Sequence, residues 1–307
     1  MSNLPPIADR AHDFFLGLQD RITTAIEAAD GGGRFREDAW TRPGGGGGRT
    51  RLLAGGALFE KAGVGFSDVQ GTLRPEMARA LPGEGLDFRA TGLSLIFHPR
   101  SPRIPTVHAN VRHIQRGARS WFGGGTDLTP TYPHEDDARH FHRALHATCA
   151  RHGATLYGEY KANCDAYFRN THRAQEARGV GGIFFDHVRP HERPSGMEGR
   201  ALFAFVQDVG RSPYDAYAPI VDQRRGLGWG ERERALQLHR RGRYVEFNLL
   251  HDRGTLFGLQ TDARVESVLM SLPPLAAWAS AFDAETEALN ERLARMLVAQ
   301  DWLSHGG

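Results

Sequence analysis

The sequence predicts a mixed fold of the α/β or α+β class. Segments with period-two alternation and segments with apolar residues at helical spacing both occur along the chain. The chain has 307 residues, of which 40% are apolar and 24% charged, so it can bury a core of ordinary globular composition. No internal repeat and no clear interdomain linker divides it, so we expect a single domain over residues 1–307.

Apolar residues at helical spacing predict helices in three early parts of the chain. The first helix covers residues 9–29 and is stopped by Gly31 to Gly33. The next two cover about 135–151 and 156–177, and the glycine-rich run 178–182 ends the later one. Further helices are predicted at residues 200–209, 213–224, 231–241, 267–272 and 275–297.

Strand-like segments are concentrated near residue 100. Residues 92–97 form one run that ends at His98, and residues 107–114 form a second run with strict alternation. In the second run His108, Asn110 and Arg112 fall on one face, because successive side chains of a strand point to opposite sides of the sheet. Other strand predictions are residues 54–66 (one strand and a turn), 183–185 followed by Asp186, and a hairpin of 244–250 with 255–260.

Proline and glycine mark the connections. Pro99, Pro102 and Pro105 predict a stiff surface connection between the two strands. The run from Gly44 to Gly48, followed by Arg49, is typical of a flexible linker. Gly123 to Gly125 would allow either close approach of a ligand or a simple turn.

Composition excludes several classes of protein. A net charge of +2 with no block of like charges argues against a nucleic-acid binder. Two cysteines, Cys149 and Cys164, are too few for a disulfide scaffold and lack the spacing of a zinc or iron–sulfur site. No signal peptide or long apolar run is present, so we expect a cytoplasmic protein. Lys61 and Lys161 are the only lysines, and arginine, which pairs well with carboxylates, supplies the other cationic side chains.

The side chains that could carry chemistry are histidines, aspartates and arginines. No dinucleotide-binding glycine motif, phosphate-binding loop or nucleophile elbow occurs. The candidates are His98, His108, His142 and His172, together with Asp127, Arg112 and the Asp252-Arg253 pair. The four histidines could bind a divalent metal through neutral imidazole nitrogens. His142 with His146 is an equally acceptable ligand pair, and structural histidines at the edge of the core are the alternative to both. Any of these imidazoles could also transfer protons near neutral pH.

Long, unusual strings of residues occur along nearly the whole chain. They are S-L-I-F-H-P (94–99), P-T-V-H-A-N-V-R (105–112), W-F-G-G-G-T-D-L-T-P (121–130), E-D-A-W (37–40), G-G-G-G-R (45–49), Y-G-E-Y-K-A-N-C-D-A-Y-F (157–168), R-G-V-G-G-I-F-F-D (178–186), G-E-R-E-R (230–234), R-G-R-Y-V-E-F-N-L-L-H-D-R-G-T-L-F-G-L-Q-T (241–261) and E-S-V-L-M-S-L-P-P (266–274). With these strings in matching order, the chain resembles the oxygen-dependent coproporphyrinogen III oxidase family of haem biosynthesis. Because that family carries a similar glycine run ending in arginine, the resemblance also implies a mobile flap near the site at residues 44–49.

The resemblance implies a fold and a set of residue roles. The fold would be a large, mainly antiparallel sheet flanked by helices on both faces. His108 would be the proton donor, and Asp252 or Asp127 would contact the pyrrole nitrogens of the substrate. The implied catalytic residues are His108, Asp252, Arg253 and Asp127; the implied substrate-binding residues are Ser94, Asn110, Val111, Arg112 and Arg264; the implied metal ligands are His98, His108, His142 and His172.

The resemblance also implies the reaction and the partners. Two propionate side chains of coproporphyrinogen III would become vinyl groups, with consumption of O2 and release of CO2 and hydrogen peroxide. No organic cofactor would take part, a divalent metal cation would be the metal at the histidines, and O2 would be the co-substrate. The implied homodimer would use the region around residues 244–275.

The chain departs from the family pattern at three places. Asp262-Ala263-Arg264 stands where a G-G-R run is usual, so only Arg264 carries over. Ser120-Trp121 replaces a paired tryptophan, and Asp186-His187 replaces a paired aspartate. Two other functions remain open from the residues alone, a metal-dependent hydrolase that activates water at the histidines and a tetrapyrrole carrier without catalytic activity.

Overall fold

A seven-stranded antiparallel sheet forms the centre of the computed structural model, which describes residues 6–192, 196–260 and 264–304, apart from the side chains of Ala80, Phe257 and Gln260. Its strands lie side by side in the order β1, β2, β3, β4, β5, β6 and β9. They are β1 (Arg36–Thr41), β2 (Gly46–Ala54), β3 (Phe59–Thr72), β4 (Asp87–Pro99), β5 (Thr106–Arg116), β6 (Arg119–Thr129) and β9 (Gly181–Val188). Two short strands, β7 (Arg169–Asn170) and β8 (Glu176–Ala177), pair separately.

Helices cover the sheet on both faces, as the described residues show. They are α1 (Ile7–Asp30), α2 (Pro75–Ala80), α3 (Glu135–Ala150), α4 (Leu156–Tyr167), α5 (Gly199–Arg224), α6 (Glu231–Leu250), α7 (Arg253–Gln260), α8 (Val265–Val268) and α9 (Ala284–Met296), with 3-10 turns at Thr171–Arg173 and Leu269–Ser271. The mixed fold class and the mainly antiparallel sheet are therefore confirmed. None of the described helices is long and apolar enough to cross a membrane.

The main core lies between one face of the sheet and helices α1, α3 and α5. The α1 helix forms because Phe15, Leu18 and Ile22 recur on one side, where all three are buried against the sheet. In β5 the alternate residues Val107 and Ala109 join this core. Val111 joins it as well, so the intervening residues His108, Asn110 and Arg112 face the other side, which α6 and the segment around Met270 cover in part.

The predicted alternation in β5 is confirmed, and strand register aligns its polar residues with those of its neighbours. Ser94 in β4 lies opposite Asn110, and Asp127 in β6 lies opposite His108. Because paired residues of antiparallel strands point to the same face, Ser94, His108, Asn110 and Asp127 share the side of the sheet away from the main core.

Most of the glycine run at 44–48 is part of the sheet, so the linker prediction is wrong, whereas the mobile flap stays a prediction. Gly44 and Gly45 belong to the turn that precedes β2. Gly46 to Gly48 begin β2 and pair with both β1 and β3. A side chain at Gly48 would overlap the ring of Trp40 on β1. Glycine is therefore required for close packing of an aromatic ring against the strand, and the composition of the run does not indicate flexibility.

The predicted hairpin at 244–260 is also wrong, because both segments are helical. Residues 244–250 continue α6, and residues 253–260 form α7. Tyr244, Phe247 and Asn248 are buried at spacings of three and one, which is a helical pattern. Arg253 and Gly254 begin α7 where a tight turn of a hairpin was expected.

Several other boundaries differ from prediction. The helices predicted at 200–209 and 213–224 are one helix, α5, which contains Pro213 and Pro219. Residues 54–66 divide between the end of β2 and the start of β3, the helix predicted at 156–177 ends at Tyr167, and that predicted at 275–297 begins at Ala284. The segment between β4 and β5 is mostly buried, with Ser101 and Ile104 inside, so it is not a surface connection. The single-domain organisation and the cytoplasmic location stay predictions.

Candidate active site

A row of polar side chains lies across β4, β5 and β6, on the sheet face opposite the main core. Ser94, His108, Asn110 and Arg112 are partly exposed there, and Asp127 is buried beneath His108. The sequence predicted the β5 part of this row from alternation alone. The pairing of the strands then adds Ser94 and Asp127.

His108, Asp127 and Arg178 form a chain of contacts at one end of the row. His108 Nδ1 lies 3.0 Å from Asp127 Oδ1, and Arg178 Nη2 lies 2.6 Å from Oδ1 and 2.7 Å from Oδ2 of the same carboxylate. The side chains of Arg178 and Asp127 are 1% and 2% exposed, whereas that of His108 is 16% exposed. Arg178 precedes β9, and its guanidinium lies over the rings of Phe168, Tyr244 and Phe247.

Asp127 and Arg178 stabilise each other in their charged forms. Burial alone would raise the pKa of Asp127, but the charge of Arg178 and the hydrogen bond from His108 outweigh it and lower that pKa. Asp127 raises the pKa of Arg178 despite the burial that opposes it. Because a carboxylate can only accept, the contact assigns the hydrogen of neutral His108 to Nδ1. No described residue hydrogen-bonds to Nε2, which is therefore the atom that could exchange a proton with a substrate.

Arg112 is held at the other end of the row by two oxygen acceptors. Its Nη1 donates to Asn110 Oδ1 at 2.6 Å, and its Nη2 lies 2.9 Å from Asp186 Oδ2 on β9. Gly123 on β6 makes room for this arrangement, because an added Cβ there would lie 2.7 Å from Asp186 Oδ1 and 2.8 Å from Arg112 Nε. Glycine at this position therefore permits the ion pair to lie against the backbone. The turn predicted as one alternative for Gly123 to Gly125 is wrong, because these residues lie within β6.

The junction of α6 and α7 supplies a second group of polar atoms. Asp252 Oδ2 accepts from the backbone N–H of Thr255 at 2.7 Å and from its hydroxyl at 2.9 Å, which caps the start of α7. Asp252 Oδ1 accepts from the Tyr167 hydroxyl at 3.0 Å. The exposed Arg253 has its guanidinium carbon 4.8 Å from the centre of the Tyr167 ring.

Aromatic rings join the two groups. Phe168 lies with its ring centre 6.5 Å from that of His108 and 4.8 Å from that of Tyr167. Phe184 on β9 stacks on Tyr167 at 4.6 Å and lies two residues before Asp186 on the same strand face. The predicted catalytic residues His108, Asp127, Asp252 and Arg253 therefore border one aromatic cluster, which consists of Tyr167, Phe168, Phe184 and Phe247.

The predicted metal ligands do not come together. His98 is fully buried and contacts the Ser271 carbonyl through Nε2, and His142 is fully buried between the Tyr157 hydroxyl and the Val180 carbonyl. His172 contacts Glu246 and His251 near the protein surface. Among residues 6–192, 196–260 and 264–304, no group of three or more histidine, cysteine or carboxylate side chains could hold a metal ion. The residues present therefore do not fit the implied divalent metal.

Burial gives the two inner histidines a structural role. It lowers the pKa of His142 to about 4 and that of His98 well below its ordinary value, so both rings are neutral at pH 7. With Nε2 of His142 donating to a carbonyl, its Nδ1 accepts from the Tyr157 hydroxyl, and both ring nitrogens are occupied. The alternative pair of His142 with His146 fails for the same reason.

Two predicted substrate-binding residues lie apart from the row. The side chain of Val111 is 2% exposed and belongs to the main core, so only its backbone lies in β5 between the polar residues. Arg264 pairs with Asp38 on β1 and with Glu266, at the side of the sheet remote from β9. Asp262 and Ala263, which replace the usual glycines, lie outside the described residues.

Sequence reasoning missed Arg178, Tyr167 and Asp186 as site residues. Each stands inside a string that was used for the resemblance, but none has a local pattern that marks it as functional. Arg178 contacts a carboxylate 51 residues earlier, and Tyr167 contacts one 85 residues later. Only the tertiary structure brings these partners together.

A comparison with protein families identifies the family of the chain. A family model described as coproporphyrinogen III oxidase matches residues 10–302. That range includes the polar row, the Asp127–Arg178 pair and the α6–α7 junction. The chain therefore belongs to the coproporphyrinogen III oxidase family, whose members are oxidoreductases of porphyrin biosynthesis.

Proposed function

We propose that the protein converts two propionates of coproporphyrinogen III to vinyl groups with O2 as the oxidant, and so yields protoporphyrinogen IX. The observation that carries the proposal is the His108–Asp127–Arg178 chain beside Arg112, in a member of this family. In each half-reaction one C–H bond and the bond to the carboxyl carbon break, CO2 leaves, and a C=C bond forms. The two electrons released reduce O2, which takes up two protons to become hydrogen peroxide.

The cysteines support O2 as the oxidant over an iron–sulfur route. Such clusters bind thiolates, typically four of them. The chain has two cysteines, and both are buried. Burial raises the pKa of the Cys149 thiol to about 12 and that of Cys164 well above its usual value, which disfavours the thiolate.

The proposed residue roles follow from charge and hydrogen bonding. Arg112 and the exposed Arg253 are the groups that would pair with substrate carboxylates, since guanidinium forks bind carboxylates bidentately. Asp252 would accept a pyrrole N–H, and the pyrrole would then react directly with O2. His108 would exchange a proton at Nε2 while Asp127 holds the ring through Nδ1. No organic cofactor enters this scheme, and no step passes through a metal.

An oxygen electrode tests the proposal directly. Adding coproporphyrinogen III to the purified protein should start O2 uptake together with release of CO2. Asp252→Ala should abolish turnover, but Asp252→Asn is the more specific variant, because an amide oxygen can still cap α7 at Thr255 while the carboxylate charge is lost. We expect this variant to fold and to lose turnover. Wild-type-like kcat would remove Asp252 from the scheme.

The same assay separates the alternatives. Tight binding of the tetrapyrrole without O2 uptake would favour a carrier. Hydrolysis that stops with a chelator and returns with added metal would favour a metal-dependent hydrolase. We do not propose the hydrolase, because the described histidines do not converge on a metal site, and we do not propose the carrier, because the family is one of oxidases.

We also propose a homodimer formed through the region around residues 244–275. Several large apolar side chains are exposed in or beside this region, which a partner subunit would cover: Leu249, Leu250, Leu259, Val265, Leu275 and Trp278. The elements involved would be helices, because the hairpin predicted for residues 244–260 is helical. Light scattering on the eluting protein should give twice the mass of 34.0 kDa, and a monomer at micromolar concentration would oppose the proposal.

A further inference from the structure

The hydroxyl of Tyr167 bridges the two residues at the start of α7. Tyr167 is the last residue of α4. Its hydroxyl donates to Asp252 Oδ1 at 3.0 Å and accepts from the backbone N–H of Arg253 at 2.9 Å. One oxygen atom therefore fixes both a carboxylate and a backbone group of the α6–α7 junction.

The ring that carries this hydroxyl is held on several sides. It stacks on Phe184 with an interplanar angle of 12° and meets the edges of Phe168 at 4.8 Å and Phe247 at 5.8 Å between ring centres. Burial and the negative charge of Asp252 raise the pKa of the Tyr167 hydroxyl, so it keeps its proton. A protonated hydroxyl on an immobile ring can donate and accept at the same time.

The two oxygens of Asp252 are thereby fixed by different elements. Thr255 within α7 holds Oδ2, whereas Tyr167 from α4 holds Oδ1. Without the hydroxyl, the carboxylate would be attached only to its own helix. The backbone N–H of Arg253 would also lose its acceptor. The backbone that carries the arginine side chain would then be held less firmly.

We propose that Tyr167 is a positioning residue, whose hydroxyl holds the Asp252 carboxylate and the Arg253 backbone in the orientation that binds the tetrapyrrole. The inference rests on the proposed function and adds to it a residue that acts through two others. The hydroxyl itself carries the role. The ring alone supplies packing, and phenylalanine can supply the same packing.

Tyr167→Phe removes the hydroxyl and keeps the ring, so it is the appropriate variant. Tyr160→Phe is a control on the same helix, because the Tyr160 ring also packs against aromatic rings and its hydroxyl has no hydrogen-bond partner in the described part of the chain, although Tyr160 is buried and Tyr167 is half-buried. Loss of a hydrogen bond to a charged group corresponds to about a 10- to 100-fold effect. We expect kcat/KM to fall by about that factor in Tyr167→Phe and to be unchanged in Tyr160→Phe.

Combination with Asp252→Asn shows whether Tyr167 acts through Asp252. Binding of coproporphyrin III, the oxidised tetracarboxylate that cannot react, is followed by fluorescence in the two single variants and the double variant. If Tyr167 acts through Asp252, Tyr167→Phe should weaken binding less in the Asp252→Asn background than in the wild-type background. An equal fold loss of affinity in both backgrounds would show that Tyr167 does not act through Asp252. Wild-type activity and binding in Tyr167→Phe would overturn the whole inference.

Hydrogen exchange distinguishes failure of this inference from failure of the proposed function. If the wild-type protein neither consumes O2 nor binds coproporphyrin III, the proposed function fails. Tyr167→Phe should still accelerate amide exchange in a peptide covering residues 252–256, because the Arg253 amide has lost its acceptor, whereas Tyr160→Phe should not. Unchanged exchange in Tyr167→Phe would show that the hydroxyl positions nothing.

Discussion

Replacing Arg178 by methionine removes the cation from a buried ion pair and keeps a side chain of comparable length. Arg178 and Asp127 are 1% and 2% exposed, and one nitrogen of the guanidinium lies within 2.7 Å of both carboxylate oxygens. In Arg178→Met the Asp127 carboxylate would remain buried, with His108 as its one hydrogen-bonding partner among the residues that the structure describes. Breaking a buried ion pair from one side typically costs about 3–5 kcal/mol of unfolding free energy.

Urea unfolding at pH 7, followed by circular dichroism, measures this loss. The double variant Asp127→Asn/Arg178→Met removes the unpaired charge as well, so it should be more stable than Arg178→Met alone even though it carries an additional substitution. A loss below about 1 kcal/mol in Arg178→Met would refute the reasoning. So would a double variant whose loss equals the sum of the single losses.

The same pair predicts the direction of the pH dependence. Because the folded state lowers the pKa of Asp127, the pair stabilises the protein above the ordinary aspartate pKa of about 3.9. This contribution is lost as the pH falls through the lower pKa of the folded state. The difference in unfolding free energy between wild type and Arg178→Met should therefore be largest near neutral pH and should decrease in acid. A difference that increases in acid would contradict the assignment of the charge to Asp127.

Two further substitutions test the site and the fold. Gly123→Ala should raise the KM for coproporphyrinogen III, because the new Cβ would displace the Arg112–Asp186 ion pair. The unfolding midpoint should change little. An unchanged KM would argue that Arg112 does not bind substrate. Asp30→Ala should cost about 3 kcal/mol or more in urea unfolding, because buried backbone N–H groups lose their acceptor. Asp30 accepts from the backbone at residues 33, 57, 58 and 59, and these bonds outweigh burial and lower its pKa, so the difference from wild type should shrink below about pH 4; equal stability at pH 7 would refute this role.

Local patterns in the sequence predicted the part of the site that lies on one strand. Alternation in β5 placed His108, Asn110 and Arg112 on one face, and the structure confirms this. The α1 helix was also predicted nearly to its ends, because its apolar spacing is long and regular. Both features depend on residues close together in the chain, where the period of the side chains decides their direction.

Patterns failed where distant residues decide the conformation. Residues 244–260 resembled a hairpin, but they are helical because Tyr244 and Phe247 pack under β4 and around Arg178. The glycines of β2 resembled a linker, but they accommodate Trp40 from the neighbouring strand. In both cases the packing of aromatic rings from other parts of the chain outweighs the local preference of the sequence.

The sequence by itself determined the family, the mixed α/β class and the row of polar residues on β5. Only the tertiary structure decided that Arg178 neutralises Asp127, that Tyr167 holds Asp252, and that the four histidines stay apart. The physical reason is that a buried charge needs a partner of opposite sign, and a buried imidazole needs hydrogen bonds at its nitrogens. Those partners come from elements far apart in the chain, so strand register and helix packing select them.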